Sequence, residues 1–273
     1  MLKMKSRYVL ILCVCVTSAI LMSLLGTEKT KRLANTERFD VINVQGRIIF
    51  KSSGADMKRG DIYVTGTKLN FATNDARAAI VNQNKGRLIL TGNTKGKIKV
   101  LPAANNISSR SGALLNVVDL KKHFSDRYLI LKRSEVQISK QSFPMDRETF
   151  FYLTYEHNGE EIAKKLRNED DFLILDKEEI YKIDGKAIPY EEKEMTLYYR
   201  QDGKGLKINT FTPVFPDNEE LKAEVNVLLE GLGKVSEEEQ IKEITSYLND
   251  FYGNPHKNNL RDWLKSEFKL EKK

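Results

Sequence analysis

The sequence predicts a mainly β protein of the α+β class: one N-terminal transmembrane helix, a small all-β domain, then a β-sandwich-like domain with a helical C-terminal part. Three observations carry this. Residues 8–25, YVLILCVCVTSAILMSLL, contain no Lys, Arg, Asp or Glu. Between residues 39 and 211, short apolar runs, several of them alternating with polar residues, recur between Gly, Asn and Asp turn signals. After Pro216 the apolar period lengthens to that of helices.

The apolar run comes first. A helix of that length rises about 27 Å, close to the hydrocarbon thickness of a bilayer. Lys3, Lys5 and Arg7 precede it and favour a cytoplasmic N-terminus, with everything after the run across the membrane. A cleavage after Gly26 would put Leu24 where a small residue is needed, so the run reads as a retained anchor rather than a removed signal. Cys13 and Cys15 both lie inside it, and neither Leu12 nor Val14 is the small residue that precedes a lipidated cysteine. The exported part therefore has no thiol and no disulfide, which suits a periplasm-like compartment. The expected location is the inner membrane, single-pass, with the bulk of the chain periplasmic.

Charge divides the rest of the chain. Residues 38–124 hold fifteen Lys and Arg against five Asp and Glu, and residues 125–273 hold twenty-four against thirty-one. A basic stretch followed by an acidic one predicts a boundary. The expected division is a stub at 1–7, the anchor at 8–25, a linker at 26–37, a basic all-β domain at 38–124, an acidic β domain at 125–215, and a helical segment at 216–273 packing on the acidic domain.

In the basic part, strands are expected at 39–50, 61–71, 76–84, 86–93 and 96–103, and a short helix at 113–124 closes the domain. Arg87, Ile89 and Thr91 alternate with Leu88 and Leu90, as in a half-buried strand. In the acidic part, strands are expected at 127–132, 135–139, 150–157, 161–166, 172–176, 179–184, 195–200 and 206–211. Asn158-Gly159 is a strong hairpin signal, repeated by Asp184-Gly185 and Asp202-Gly203. Asp217 with Glu220, and Ser236 with Glu239, open the first two C-terminal helices as capping boxes. A third helix is expected from Asn259.

Sites of chemistry are sparse. His123, His157 and His256 are expected on the surface, and no zinc spacing, nucleotide loop or serine-nucleophile motif occurs. Glu169, Asp170 and Asp171, then Glu191 and Glu192, lack the pattern of a calcium loop and read as solvated turns. No cofactor is expected. Lys58, Arg59, Lys85, Arg87, Lys95, Lys97, Lys99 and Arg110 form a candidate binding surface for anionic headgroups or an acidic partner. The plain alternative is that these cations occupy the wet faces of strands and blunt sheet edges. Few aromatics interleave with them, which argues against nucleic acid. The helix carrying Trp263 and Phe268 is a candidate docking surface, or closes its own domain.

Val44-Gln45-Gly46-Arg47-Ile48, then Met57-Lys58-Arg59-Gly60-Asp61-Ile62-Tyr63, resembles the FecR-type periplasmic domain, over about residues 41–90. Ile48 stands where that family has a second Val, and Tyr63 also departs from its pattern. The resemblance implies an all-β, periplasm-facing module after a single membrane helix. It does not carry the family's sigma-factor control, because only residues 1–7 precede the apolar run.

The expected function is a non-enzymatic, membrane-anchored envelope binding or scaffold protein, holding a partner complex or cell wall near the inner membrane. The alternative is a single-pass sensor with a periplasmic ligand-binding domain. An envelope hydrolase is allowed by the acidic second part without being supported by it.

Overall fold

The computed structural model describes residues 36–92, 98–102 and 112–271. The apolar run at 8–25 lies outside them, as do Lys95, Lys97 and Arg110 of the basic surface. Among the described residues no helix is long and apolar enough to cross a membrane.

The basic part folds as expected into strands. In chain order these are Arg38–Gln45 (β1), Ile48–Phe50 (β2), Ile62–Val64 (β3), Leu69–Phe71 (β4), Arg77–Asn82 (β5), Gly86–Gly92 (β6) and Ile98–Pro102 (β7). Five of them form an antiparallel sheet ordered β3-β1-β5-β6-β7, while β2 and β4 pair as a separate ribbon. The single run expected at 39–50 breaks at Gly46. There φ is +70°, and an added Cβ would collide with Thr73 and Ala76.

This sheet is covered on both faces. Phe39, Val41, Ile80 and Leu90 pack with Ile48, Met57, Tyr63 and Leu69 on one side. Ile42, Ala79 and Val81 pack on the other side against the C-terminal helices. Double coverage explains why Ala78, Ala79, Ile80 and Val81 are all buried in one strand.

Val117–His123 (α1) opens on Asn116, whose side chain accepts from the Asp119 N–H. Its Leu120 and Phe124 enter the core of the second unit rather than closing the first. That unit contains Arg127–Leu129 (β8), Arg133–Gln137 (β9), Phe150–His157 (β10), Glu160–Lys165 (β11), Asn168–Glu169 (β12) and Phe172–Asp176 (β13). Lys177–Ile180 (α2), Lys182–Ile183 (β14), Lys186–Ala187 (β15), Met195–Gln201 (β16) and Lys204–Val214 (β17) come next. Where a strand is expected at 179–184, one helical turn intervenes instead, because Asp176 caps it by accepting from the Glu178 N–H.

Asn158-Gly159, Asp184-Gly185 and Asp202-Gly203 all take positive φ at both residues, as such hairpin turns require. Adding Asn254–Pro255 (β18), the main sheet runs β11-β10-β16-β17-β8-β18, with β8 parallel to both β17 and β18. A three-stranded sheet, β12-β13-β9, supplies Val136, Leu173 and Leu175 to the same core as Phe151, Leu153, Leu197, Tyr199 and Phe211.

Asn218–Leu232 (α3), Glu237–Phe251 (α4) and Lys257–Phe268 (α5) complete the chain. Asp217 accepts from the Glu219 and Glu220 N–H groups, and Ser236 accepts from the Glu239 N–H. The helices do not sit on the acidic domain alone. Leu221, Val225, Leu228, Ile244 and Leu248 share one cluster with Ile42, Ala79 and Val81 of the basic sheet and with Leu129 and Leu131 of the second unit. They join the two parts.

Candidate functional site at the junction of the two sheets

Of the predicted basic surface, Arg87 alone among the described residues is spent inside the molecule. Arg87 is buried, not solvated: Nη1 donates to Asp250 Oδ2 at 2.7 Å and Nη2 to Ser246 Oγ at 2.7 Å. Glu243 Oε2 lies 3.6 Å from its Nε. Its strand face is the one α4 covers. Arg59 donates to Glu220 Oε2 at 2.6 Å, and Lys85 lies 3.7 Å from Glu37. Lys58 and Lys99 are exposed. The basic and acidic parts are thus partly one another's counter-charge.

The docking helix is likewise a core element. Trp263 is buried, donates from Nε1 to Asn218 Oδ1 at 2.8 Å, and meets half-buried Phe268 with ring centroids 5.2 Å apart. Its amphipathic face closes its own domain.

Two of the three histidines also leave the surface. His256 is buried and His123 half-buried, with ring centroids 5.2 Å apart. His123 Nε2 lies 2.9 Å from the Tyr128 hydroxyl. Burial, helped by His256, lowers His123 to about 3, and burial lowers His256 too. Among the described residues no group of three or more His, Cys, Asp or Glu is placed to hold a metal ion.

Where the two sheets and the helices meet lies a cleft of about 400 Å³. Six separate stretches of chain line it. The end of β1 brings Asn43, Val44 and Gln45; the start of β8 brings Arg127. The acidic unit brings Lys177, Tyr190 and Glu192. The link from β17 into α3, with the end of α4, brings Phe215, Pro216, Asp217, Phe251 and Tyr252. Such junctions are where ligand sites concentrate, and the volume falls in their usual range.

The walls are aromatic and the rim charged. Tyr190 packs edge-on against Tyr181 and Phe215, and its hydroxyl accepts from the Phe215 N–H at 3.1 Å. Both Nη groups of Arg127 donate to Glu192, a bidentate fork that spans 65 residues of chain. Lys177 Nζ sits 4.6 Å from the centre of the Tyr190 ring. Arg77 lies 4.8 Å over the Phe251 ring, and its Nε donates to Gln45 Oε1 at 2.7 Å. Burial lowers the pKa of Arg77; the charge of Asp250 opposes this, and that of Arg127 adds to it.

Behind the cleft Glu224 is buried. Tyr247 and Tyr252 both donate to its Oε2, at 2.5 and 2.6 Å, and Asn43 Nδ2 reaches the Tyr252 hydroxyl at 3.4 Å. Burial raises the Glu224 pKa, against the pull of these hydrogen bonds and of Arg59. The cluster ties α3, α4 and β1 together. A second cleft, of about 430 Å³, lies between hairpins near His157, Asn158, Ile162 and Ile183.

The acidic turns of the sequence carry ion pairs rather than metal ligands. Glu169 meets Arg133 and Arg167, Glu191 meets Lys193, and Glu192 meets Arg127. The cleft residues Asn43, Gln45, Arg127, Lys177 and Tyr190 carried no signal in the sequence, since no motif joins them. Comparison with protein-family models, with curated proteins and with solved structures returned no match.

Proposed function

We propose that the chain is a non-enzymatic, membrane-anchored envelope binding protein, single-pass in the inner membrane, with its folded part periplasmic. The observation that carries this is the uncharged run at 8–25, preceded by Lys3, Lys5 and Arg7. The folded body supports a binding role. Its two β units are joined through buried helices rather than by a free linker, so a partner would meet one firm surface. We place the first unit near the FecR-type domain: Gly46 separates β1 from β2, and Asp61 accepts from the Lys58 N–H in the turn before β3.

A second reading, a single-pass sensor, draws support from the cleft at the junction, because a ligand there would touch both β units. Fractionation and cross-linking test both. The full chain should stay in membranes after alkaline extraction and cross-link to a stoichiometric set of envelope proteins. A chain lacking residues 1–26 should be released and lose those partners. Release of the full chain would sink the anchor. Retention without protein partners, but with a bound small molecule, would favour the sensor.

A further inference from the structure

We propose that the chain forms a two-fold dimer by pairing its edge strand β11 with β11 of a second copy, antiparallel and centred on Ala163. This goes beyond the binding role and does not depend on the anchor. β11 ends the main sheet, next to β10. The Leu166 N–H donates to the Phe151 carbonyl, so by the alternation of an antiparallel pair Glu160, Ile162 and Lys164 also turn their backbone toward β10. The N–H and C=O groups of Glu161, Ala163 and Lys165 therefore face outward. Among the described residues, the ends of the other larger sheets are blunted. β3, β12 and β18 have three residues or fewer, and β7 ends in Pro102. On β9, the Gln137 carbonyl accepts from the Leu114 N–H and the Arg133 carbonyl from Asn259 Nδ2. β11 has six residues and no Pro.

The order of charge along β11 selects the partner. The strand reads Glu-Glu-Ile-Ala-Lys-Lys, acidic at one end and basic at the other. With the two-fold axis at Ala163, Glu161 lies opposite the partner's Lys165, and Lys165 opposite the partner's Glu161. Glu160 and the partner's Lys164 become diagonal neighbours on the other face. All three outward-facing residues pair, and no like charges oppose. Moving the axis to Lys164 would set that residue against its own copy, and moving it to Ile162 would leave Lys165 without a carboxylate. A parallel, in-register pair would set Glu beside Glu and Lys beside Lys. Glu161, Ala163 and Lys165 are all exposed. Within the chain, Glu161 stands opposite Glu156 of β10, a like-charge contact that weakens the hairpin. Lys193 reaches the Glu156 carbonyl but pairs its charge with Glu191. Lys165 meets only neutral groups, the Asp146 carbonyl at 3.2 Å and the Phe150 ring at 4.1 Å. The partner's Lys165 beside Glu161 offsets the repulsion that the single chain carries.

Sedimentation equilibrium of the full-length chain in density-matched detergent tests this. The parent should show a monomer–dimer equilibrium. Glu161→Lys turns both charge pairs repulsive and should weaken the dimer by about tenfold or more. Ala163→Pro removes an outward N–H that β10 does not use, so it should weaken the dimer while keeping the parent's circular dichroism. An equimolar mixture of the Glu161→Lys and Lys165→Glu chains should dimerise again, since a basic edge then faces an acidic one. Lys165→Glu also gives up the Phe150 and Asp146 contacts, so E161K and A163P decide the matter if it loosens the fold. A parent that stays monomeric up to about 100 µM would overturn the proposal and leave the edge to a different chain. A dimer that E161K and A163P leave unchanged would overturn it too, placing the contact on the anchor or another face. So would a mixture of two folded variants that stays monomeric. None of these results bears on membrane retention or on cross-linking to envelope proteins, which test the binding role separately.

Discussion

At the scale of the residue, Arg87 decides how the two halves meet. Its side chain has no exposure, and the carboxylates of Asp250 and Glu243 keep only 14% of theirs. Removing one partner of such a group leaves charge stranded in low dielectric, which costs about 3–5 kcal/mol. Arg87→Met should lower the urea midpoint accordingly, whereas Lys58→Met, at an exposed position, should leave it within about 0.5 kcal/mol of the parent. Equal effects would place Arg87 on the surface after all. The histidine pair sets a pH dependence. Folding lowers both pKa values, so the unfolded chain binds protons first. The stability this contributes is complete above the ordinary histidine value of about 6.5 and is lost as pH falls toward about 3 for His123. Glu224, held above the usual carboxylate range, works in the opposite sense, and Glu267, lowered to about 2 by Lys132 and Lys222, works with the histidines at lower pH. The difference between parent and His123→Gln isolates the contribution of His123. Between pH 7 and pH 5 the parent should lose more of its urea midpoint than the variant; parallel loss would show that His123 already carries a proton in the fold.

At the scale of the element, close approach matters more than propensity. Gly231 sits within α3 against Val81, and an added Cβ would collide with that stiff, buried side chain. Alanine favours a helix over glycine by about 1 kcal/mol. Overpacking a helix–sheet contact costs about 1–3 kcal/mol, so Gly231→Ala should destabilise on balance, by up to about 2 kcal/mol. A stabilised variant would mean that α3 can move off the sheet freely. The same contact shows what a sequence can and cannot disclose. The strand at 150–157, the Asn158-Gly159 turn, and the caps Asp217 and Ser236 were all legible, because each is a local preference expressed within a few residues. The turn at Lys177–Ile180 was not, since one helical turn has too few residues to show a period. An amphipathic stripe also says that a face is buried without saying against what. Hence Leu221, Val225 and Leu228 were legible as a stripe, but their seat on the basic sheet was not. Arg87 failed for the same reason: alternation fixed its face, and only the arrival of α4 made that face dry. The cleft was the least legible part, being assembled from segments as far apart as Asn43 and Tyr252.

At the scale of the molecule, the change from basic to acidic composition invites a picture of two independent domains, and the packing argues for one cooperative body. A single apolar cluster runs from Ile42, Ala79 and Val81 through the helices to Leu129 and Leu131. Arg87–Asp250 and Arg59–Glu220 add charge complementarity across the same boundary. Neither sheet can keep its helix-covered face dry without α3 and α4, so opening the junction exposes apolar surface on both sides at once. Coincident transitions by different probes are the mark of such coupling. The chain has one Trp, and Trp263 sits within this shared cluster. Its fluorescence therefore reports the junction, while far-ultraviolet circular dichroism reports the strands of both units. The two should give one superimposable urea transition, and Arg87→Met should shift both signals together. If the fluorescence instead moved at lower urea, leaving a second dichroism step, the helices would be an adjunct that detaches from two self-sufficient sheets. The cleft between them would then be a hinge rather than a fixed wall.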